Sequence, residues 1–404
     1  MYIQRALENR IREISTQFPA LIVTGPRQVG KTTMLKSIAE SGRKYISLDD
    51  PVAREMAVSE PALFMERYSP PVLIDEIQYA PQLFPYIKMR IDEHKQAGAF
   101  WMTGSQAFHL MKSVTESLAG RVAVIPMFGL SQSELAGAEN IPFVCDHEAM
   151  FQRMTARTPK GLGEVYADIH RGGMPSVCAG ETDRDIFYSS YLNTYLQRDI
   201  RDLTQVGDEI AFMRFMTACA ARTSQMLNYA ALAKDVGISA PTAKQWLSIL
   251  VSSGIVALIQ PYYNNVLKRA IKAPNMYFMD TGLCAYLTRW DSAKTLEVSA
   301  MSGAFFETYA VTEILKSYYN AVKRPPVYYY RDTDGREIDL LLEQNGTLYP
   351  IEIKKSANPG KDAVRHFPVI EKTGLLRGEG SVVCLYRDVM PINKNDWLVP
   401  VWLI

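Results

Sequence analysis

The stretch GPRQVGKTT at residues 25–33 constrains the fold of this chain more than any other feature. Its two glycines are separated by four residues, and Lys31 and Thr32 follow the second glycine directly. This is the pattern of a phosphate-binding loop, in which glycine lets successive backbone N–H groups approach phosphate oxygens. Because an apolar run at residues 20–23 comes just before it, the pattern predicts a strand, a tight loop and a helix whose positive N-terminal end faces the anion.

The loop predicts a site for a nucleoside triphosphate and its metal ion. We expect Lys31 to reach the β and γ phosphates, and the Thr32 hydroxyl to ligate the magnesium ion that bridges them. The other residues predicted to contact the nucleotide are those of the same loop, namely Gly25, Pro26, Arg27, Gln28, Val29, Gly30 and Thr33. The alternative is a glycine turn without a ligand, which the strand before and the helix after it disfavour.

A second acidic strand is needed for hydrolysis, and the stretch PPVLIDEIQ at residues 70–78 supplies one. It is an apolar run that ends in two adjacent carboxylates, Asp75 and Glu76. Neighbouring residues on a strand point to opposite faces, so the two acids are expected to do different jobs. Asp75 is predicted to belong to the magnesium shell, and Glu76 to orient or deprotonate the attacking water. The alternative is an ordinary pair of surface acids at the end of a strand.

The composition is that of a globular protein with more than one domain. A chain of 404 residues is too long for one ordinary core, and 48% of its residues are apolar. The net charge of +1 means that any surface for nucleic acid must be a local patch. The five cysteines are far apart in the sequence, which predicts reduced thiols and a cytoplasmic location. No apolar window reaches the length of a membrane span, so no membrane partner is expected.

Short apolar strands alternate with helical stretches in the first third of the chain, and this alternation predicts an α/β fold with a parallel sheet. The fourth predicted strand ends in Thr103, Gly104 and Ser105, at the edge of such a sheet where ligands bind. Either Ser105 or Gln106 is therefore a candidate sensor of the γ-phosphate, and the alternative is a plain strand-ending turn. The five strands are predicted near residues 20–24, 44–49, 71–75, 99–104 and 122–126.

Arg121, in the stretch SLAGR just before the fifth strand, is a candidate for a phosphate contact. It would contact the phosphates of its own chain or of a neighbouring one. A solvated charge or a charge at the end of a helix is the alternative for this arginine.

Several of these motifs resemble those of one family. In the order GPRQVGKTT, LIDEIQ, TGSQ and SLAGR, and then GGMPS, YLQRDI and YFMDTGL, the chain resembles the bacterial and archaeal AAA-type ATPases that carry a C-terminal domain of unknown function, DUF4143. The resemblance implies a P-loop sheet with an additional strand, ATP with Mg²⁺, and a C-terminal half made of a winged helix and a nuclease-like domain. AAA-type domains often hydrolyse ATP between subunits, so the resemblance also makes a homo-oligomer a possible state of the protein. It implies no biological role.

The middle of the chain is predicted to be helical. A helix at residues 191–203 would carry Arg198 and Arg201 on its exposed side, either as a lid over the nucleotide or packed between domains. Farther on, Ser239 is expected to cap the second helix of a winged helix-turn-helix, with wing strands in IVALIQPYY and NMYFMD. Its cations are few, and they are Lys244 on the helix and Lys268, Arg269 and Lys272 in the wing. Contact with DNA and docking of a protein are both left open for this module.

A hairpin is predicted near the C-terminus, because Asn345-Gly346 separates two apolar-alternating runs. Its register pairs Gln344 with Thr347. The same register sets Ile338, Leu340 and Leu342 opposite Ile353, Ile351 and Tyr349 on one apolar face. On the other face it places Asp339 opposite Glu352 and Glu337 opposite Lys354.

Two carboxylates across a strand pair have Cβ atoms about 4.5–5.5 Å apart and repel each other. A divalent cation between Asp339 and Glu352 would turn that repulsion into ligation, with Lys354 beside them to act on water or phosphate. This arrangement resembles the Asp…Glu-x-Lys pattern of the restriction-endonuclease-like fold, and the stretch GAFFETYAVTEIL resembles the first helix of that fold, where Glu307 would add a carboxylate. Ile338 stands where proline often precedes the aspartate. The alternatives are a plain ion pair between Glu337 and Lys354 and a nuclease-like domain without activity.

The sequence therefore predicts a magnesium-dependent ATPase coupled to a winged-helix and nuclease-like half that acts on DNA. The alternative is an ATP-driven switch whose C-terminal half binds DNA or a protein partner without cleaving it. The predicted parts are an AAA-like ATPase domain at residues 1–135, a helical lid or linker at 136–208, a winged-helix domain at 209–295 and a restriction-endonuclease-like domain at 296–404.

Overall fold

A computed structural model describes residues 2–105, 117–195, 209–263 and 273–404. Several residues singled out above lie outside the described residues, and they are Gln106, Arg198, Arg201, Lys268, Arg269 and Lys272.

The N-terminal part is a five-stranded parallel sheet, as predicted. Its strands are β1 Ala20–Thr24, β2 Lys44–Ser47, β3 Val72–Asp75, β4 Phe100–Gly104 and β5 Val122–Pro126. Their order in the sheet is β2-β3-β4-β1-β5, and all neighbours run parallel. Strand β4 therefore stands between β1, which leads into the phosphate-binding loop, and β3, which ends in the acids. This is the additional strand that the family resemblance implies.

Helices cover both faces of this sheet, which explains why every residue of β1 is buried. Leu21 and Val23 pack on one side with the apolar residues of α1 and α2, whereas Ala20 and Ile22 pack on the other side with those of α3, α4 and α5. The alternation follows from the period of two residues along a strand. The helices are α1 Leu7–Ser15, α2 Lys31–Ile38, α3 Pro51–Ser59, α4 Pro61–Arg67 and α5 Leu83–His94.

A helical region follows the sheet, and a helix-turn-helix with a small sheet follows that. Gly237 ends the first helix of the turn in the left-handed conformation with φ 80°, and the Ser239 hydroxyl accepts a hydrogen bond from the N–H of Thr242 at 3.1 Å. The Ser239 cap is the one that the sequence predicts. The three short strands form an antiparallel sheet in the order β6-β8-β7, and they are β6 Gln225–Met226, β7 Val256–Ile259 and β8 Asn275–Phe278. The helices are α6 Gln132–Leu135, α7 His147–Ala156, α8 Leu162–Arg171, α9 Pro175–Cys178, α10 Arg184–Tyr195, α11 Glu209–Ala220, α12 Tyr229–Val236, α13 Ala240–Ser252, α14 Thr281–Leu287 and α15 Ala293–Glu297.

The C-terminal part consists of one long helix, α16 Ser302–Tyr319, and a mixed sheet in the order β14-β15-β13-β11-β10-β9, with β12 beside β11. The hairpin of β10 and β11 has the predicted register, since Gln344 pairs with Thr347 and Leu340 with Ile351. The strands are β9 Val327–Arg331, β10 Glu337–Gln344, β11 Thr347–Ile353, β12 Leu376–Arg377, β13 Gly380–Cys384, β14 Met390–Pro391 and β15 Asp396–Pro400.

The prediction that Ile338 shares one apolar face with Leu340 and Leu342 is wrong. The pairing of β10 with β9 shifts register between Ile338 and Leu341, and Ile338 packs with Leu341 and Leu348 in a different core cluster from Leu340. Apolar residues thus occupy both faces of β10. The physical reason is that both faces are covered, by α16 on one side and by the 3-10 segment Phe367–Thr373 on the other.

Helix α16 also joins the C-terminal part to the segment that leaves the N-terminal sheet. The Glu313 carboxylate accepts a hydrogen bond from the N–H of Gln132 at 2.8 Å, and the Lys316 ammonium donates to the carbonyl of Leu130 at 3.1 Å. Glu313 and Lys316 are buried and form an ion pair at 2.8 Å. Throughout the described ranges, none of the helices combines the length and apolar character that crossing a membrane requires.

Candidate functional site

The phosphate-binding loop has a backbone that only glycine tolerates at its start. Gly25 has φ 141°, and a Cβ atom built there would lie 2.0 Å from the carbonyl oxygen of Met127. Gly30 has φ 91° and is the residue before α2. The two glycines of the motif therefore let the loop turn tightly against β5 and enter the helix, as the sequence pattern predicts.

Lys31 lies within this loop and is only 5% exposed. Its ammonium group donates hydrogen bonds to the carbonyl oxygens of Gly25 at 2.9 Å and Pro26 at 2.8 Å. The loop thus holds the lysine charge at its own centre, where phosphate oxygens would be stronger acceptors than neutral carbonyls.

Thr32 and Asp75, which the sequence assigns to one magnesium ion, are brought together. The Thr32 hydroxyl donates to Asp75 Oδ1 at 2.6 Å, and the Asp75 side chain is buried at the end of β3. Two residues that were not predicted also contact this carboxylate: the Thr103 hydroxyl donates to Oδ1 at 2.6 Å, and the Tyr45 hydroxyl to Oδ2 at 3.3 Å. Both residues come from strands that flank β3. Knowing which strands are neighbours in the sheet would therefore have identified them as contacts of Asp75.

Glu76 turns away from the strand immediately after Asp75. Its backbone is in the left-handed region with φ 57°, and its N–H donates to the Thr103 hydroxyl at 3.0 Å. The Ser105 hydroxyl donates to the two Glu76 carboxylate oxygens at 3.0 and 3.2 Å, and Gln78 Nε2 donates to one of them. Ser105, predicted as a phosphate sensor, therefore lies against the predicted general base.

A cavity of about 580 Å³ opens at this site. Its lining contains six residues of the loop with Glu76 and Ser105, together with Thr194, which the sequence did not single out. Of the residues predicted to bind the nucleotide and its metal ion at this site, Gly25, Pro26, Val29 and Asp75 do not line it. Thr194 belongs to α10, so the helical region after the sheet reaches the cavity. The full lining is Arg27, Gln28, Gly30, Lys31, Thr32, Thr33, Glu76, Ser105 and Thr194.

Arg121 does not contact this cavity, and the contact predicted with the phosphates of its own chain is wrong. Its guanidinium pairs with the carboxylate of Asp92 at 2.7 Å. The reason is its position just before Val122, at the amino end of β5, whereas the loop lies at the carboxyl ends of the strands. A contact with a neighbouring chain stays a prediction.

The C-terminal acids predicted to share a metal ion are close enough to affect one another. Burial, together with the charges of Glu307 and Glu352, raises the pKa of the Asp339 carboxyl well above its usual range. Burial and neighbouring carboxylates likewise raise the pKa of Glu307, and burial raises that of Glu352. Burial opposes the positive charge of Lys354, but the Glu352 carboxylate, which lies 2.6 Å from the ammonium group, raises the pKa of Lys354 above its usual value. Repulsion of this kind is what a bound cation would relieve.

Each acid also has a local partner that holds it. Ile353 N–H donates to Asp339 Oδ2 at 2.7 Å, and the Tyr277 hydroxyl donates to Glu307 Oε1 at 2.8 Å. In the part of the chain that the structure describes, no three His, Cys, Asp or Glu side chains converge as ligands of one metal ion. The metal set of Glu307, Asp339 and Glu352 therefore stays a prediction.

The alternative ion pair between Glu337 and Lys354 is not formed, since the lysine pairs with Glu352. Glu337 instead lies 3.9 Å from the guanidinium of Arg331. Beside Glu352 and Lys354 a cleft of about 410 Å³ opens. Its lining includes two residues that the sequence did not indicate, Arg365 and His366.

Three family models match successive parts of the chain: an AAA domain at residues 17–136, a domain of unknown function (DUF8612) at 164–294 and a domain of unknown function (DUF4143) at 302–404. Two uncharacterised proteins, from Mycobacterium tuberculosis and Mycobacterium bovis, are each 28% identical over 356 residues, which is 87% of this chain and 73% of theirs. The AAA match contains the whole phosphate-binding loop, both acids and Ser105.

Two solved structures are also similar. A Walker-type ATPase of Pyrococcus abyssi is 14% identical and aligns with a TM-score of 0.44, over 71% of this chain and 96% of that chain. The RuvB Holliday junction branch migration motor of Thermotoga maritima is 15% identical and aligns with a TM-score of 0.31, over 63% of this chain and 89% of that chain.

Proposed function

The chain carries an AAA domain followed by a C-terminal DUF4143 domain, and on that premise we propose that it is a magnesium-dependent ATPase. One observation carries the proposal. Thr32 and Asp75 are joined by a hydrogen bond of 2.6 Å, and Thr32 lines a cavity together with Lys31 and Glu76. A hydroxyl and a carboxylate side by side are hard oxygen donors of the kind that Mg²⁺ prefers, so these residues fit the ion.

In this function the loop N–H groups and Lys31 bind the triphosphate, and Thr32 and Asp75 hold the magnesium ion. The bound ion supplies positive charge to the β and γ phosphates. Glu76 orients a water molecule and accepts its proton. The water oxygen bonds to the γ-phosphorus as the bond from that phosphorus to the bridging oxygen breaks, which gives ADP and inorganic phosphate.

Turnover of ATP by three variants tests the proposal. Lys31→Ala and Glu76→Gln should each abolish hydrolysis, and Glu76→Gln should still bind ATP because it keeps the loop intact. The matched control is Lys88→Ala, which removes an exposed lysine of α5 and should leave turnover unchanged. Retained hydrolysis in both site variants would remove these residues from the mechanism.

We further propose that the C-terminal half acts on DNA, with Asp339, Glu352 and Glu307 as metal ligands and Lys354 beside the phosphate. The support is the chemistry of the donor set: three partly buried acids with raised pKa values and a lysine that contacts one of them. Plasmid, branched and single-stranded DNA should be cut in the presence of Mg²⁺ or Mn²⁺ and ATP. The Asp339→Ala variant should not cleave the DNA, whereas the control variant Glu343→Ala, changed at the other end of β10, should cleave it. No cleavage above the Asp339→Ala background would refute a nuclease.

A second candidate function is an ATP-driven switch whose C-terminal half binds DNA or a protein without cleaving it. The observation that favours it is the hydrogen bond of Glu307 to Tyr277 of β8, which engages one of the predicted ligands. ATP turnover that ignores added DNA, combined with a protein recovered by pull-down, would favour the protein-binding form. Stimulation of turnover by DNA without cleavage would favour the DNA-binding form.

A further inference from the structure

The proposed reaction needs positive charge at the γ-phosphate end of the cavity, because charge spreads over the γ-oxygens in the transition state. Within the described residues, the cations that line the cavity are Lys31 and Arg27. Lys31 works from the centre of the loop, where Gly25 and Pro26 hold it. Arg121 lies elsewhere, paired with Asp92. Among the described residues, Arg27 is therefore the arginine that lines the cavity.

Arg27 lines the same cavity as Glu76 and contacts the turn that follows Glu76. Its Nη2 donates to the Tyr79 hydroxyl at 3.4 Å, and Tyr79 belongs to the 3-10 turn Ile77–Tyr79 that directly follows Glu76. The ring of Tyr79 is itself supported by the guanidinium of Arg54, 4.2 Å from its centroid. Because Glu76 is the residue that would orient the attacking water, we expect a cation held by the turn after Glu76 to reach the phosphorus that is attacked.

We propose that Arg27 is a catalytic residue, which stabilises the transition state of ATP hydrolysis from within the same chain. The site then needs no arginine from a neighbouring subunit. As the water oxygen bonds to the γ-phosphorus, the electron pair of the breaking bond passes to the bridging oxygen of ADP and the water proton passes to Glu76. Arg27 keeps its protons and donates hydrogen bonds to the γ-oxygens. This inference rests on the proposed ATPase function.

Steady-state kinetics of Arg27 variants test the inference. Arg27→Ala should lower kcat by about 10²–10³-fold while the Kd for ATP changes less than about threefold, because the interaction is made in the transition state. Arg27→Lys should recover part of kcat, since it keeps the charge and loses the planar fork. Arg10→Ala is the matched control: it removes an exposed arginine of α1 that pairs with Glu13 and does not line the cavity, so kcat should stay within about twofold of wild type.

Two further measurements separate catalysis in the same chain from other roles. ADP with Mg²⁺ and aluminium fluoride mimics the transition state, and Arg27→Ala should bind ADP normally but fail to trap this complex. Mixing Arg27→Ala with Glu76→Gln should restore no turnover, because each chain lacks one part of its own site.

Three outcomes would overturn the inference while leaving the ATPase function intact. They are an Arg27→Ala kcat within about threefold of wild type, a loss explained wholly by weaker ATP binding, and recovery of turnover in the mixture. Thermal unfolding and ADP binding confirm that each variant is folded, and Arg27→Lys provides the same comparison should the alanine variant unfold. Absence of turnover in the wild-type chain would overturn the proposed function and this inference together.

Discussion

Thr103 is a single buried hydroxyl that ties the two acids of the nucleotide site together, and its removal gives the sharpest prediction. It is 0% exposed, donates to Asp75 Oδ1 at 2.6 Å and accepts the N–H of Glu76 at 3.0 Å. Thr103→Val keeps the shape of the side chain and replaces the hydroxyl with a methyl group. Both hydrogen bonds are lost, and the carboxylate and the N–H each lose a buried partner.

The size of the effect follows from those two contacts. A hydrogen bond to a charged group contributes about 1.5–3 kcal/mol, and a buried donor left without a partner costs about 1–3 kcal/mol. Thr103→Val should therefore lower the free energy of unfolding by about 3 kcal/mol. Thr103→Ser keeps the hydroxyl and loses one methyl group, so it should lose about 1 kcal/mol.

Urea unfolding of the wild-type chain and both variants measures these free energies, and hydrogen exchange measures the protection of the Glu76 amide directly. Protection of that amide should fall in Thr103→Val and remain in Thr103→Ser. A Thr103→Val chain within about 0.5 kcal/mol of wild type, with the Glu76 amide still protected, would refute the bridging role of Thr103.

Three further predictions concern other parts of the chain. Gly25→Ala should abolish ATP binding in a calorimetric titration because its Cβ would clash with Met127, whereas Gly42→Ala, which meets nothing within 4 Å and needs no positive φ, should bind normally. Asp339→Asn should raise Tm by about 2 °C at pH 7 without divalent cations. The raised pKa of Asp339 means that its ionisation costs stability as the pH rises, so the gain should shrink on acidification; an unchanged Tm would contradict the argument. Burial tends to raise the pKa of the Glu134 carboxyl, but the Arg5 guanidinium holds that pKa below its usual value. The free energy of unfolding of the wild-type chain should therefore fall as the pH drops below about 4.3. Denaturation measured across pH should show that Glu134→Gln lacks this dependence.

The sequence predicted the features that depend on local chemistry. The phosphate-binding loop needs glycine where φ is positive, and the hairpin needs Asn345-Gly346 at its turn, so both could be placed from the residues alone. The five parallel strands followed from short apolar runs. The structure confirms these features because each depends on residues that are close together in the chain.

Features that depend on the arrangement of distant elements could not be predicted. Thr103 contacts Asp75 because β4 and β3 are neighbours, an order that no local pattern encodes. The change of face at Ile338 depends on the pairing of β10 with β9. Lys354 pairs with Glu352, two residues earlier in the chain, and not with Glu337 across the hairpin, which depends on side-chain conformation.

Helix α16 gives the molecule a mechanical property beyond its role in the core. Toward the C-terminal end of the helix, Glu313 and Lys316 form hydrogen bonds with the segment that leaves the N-terminal sheet. Toward its N-terminal end, Glu307 lies close enough to Asp339 to raise the pKa of that carboxyl. Glu307 and Glu313 are only about 9 Å apart along the helix axis. The helical segment between these two residues is short enough to be stiff, so a displacement of the exit segment would carry the Glu307 carboxylate with it.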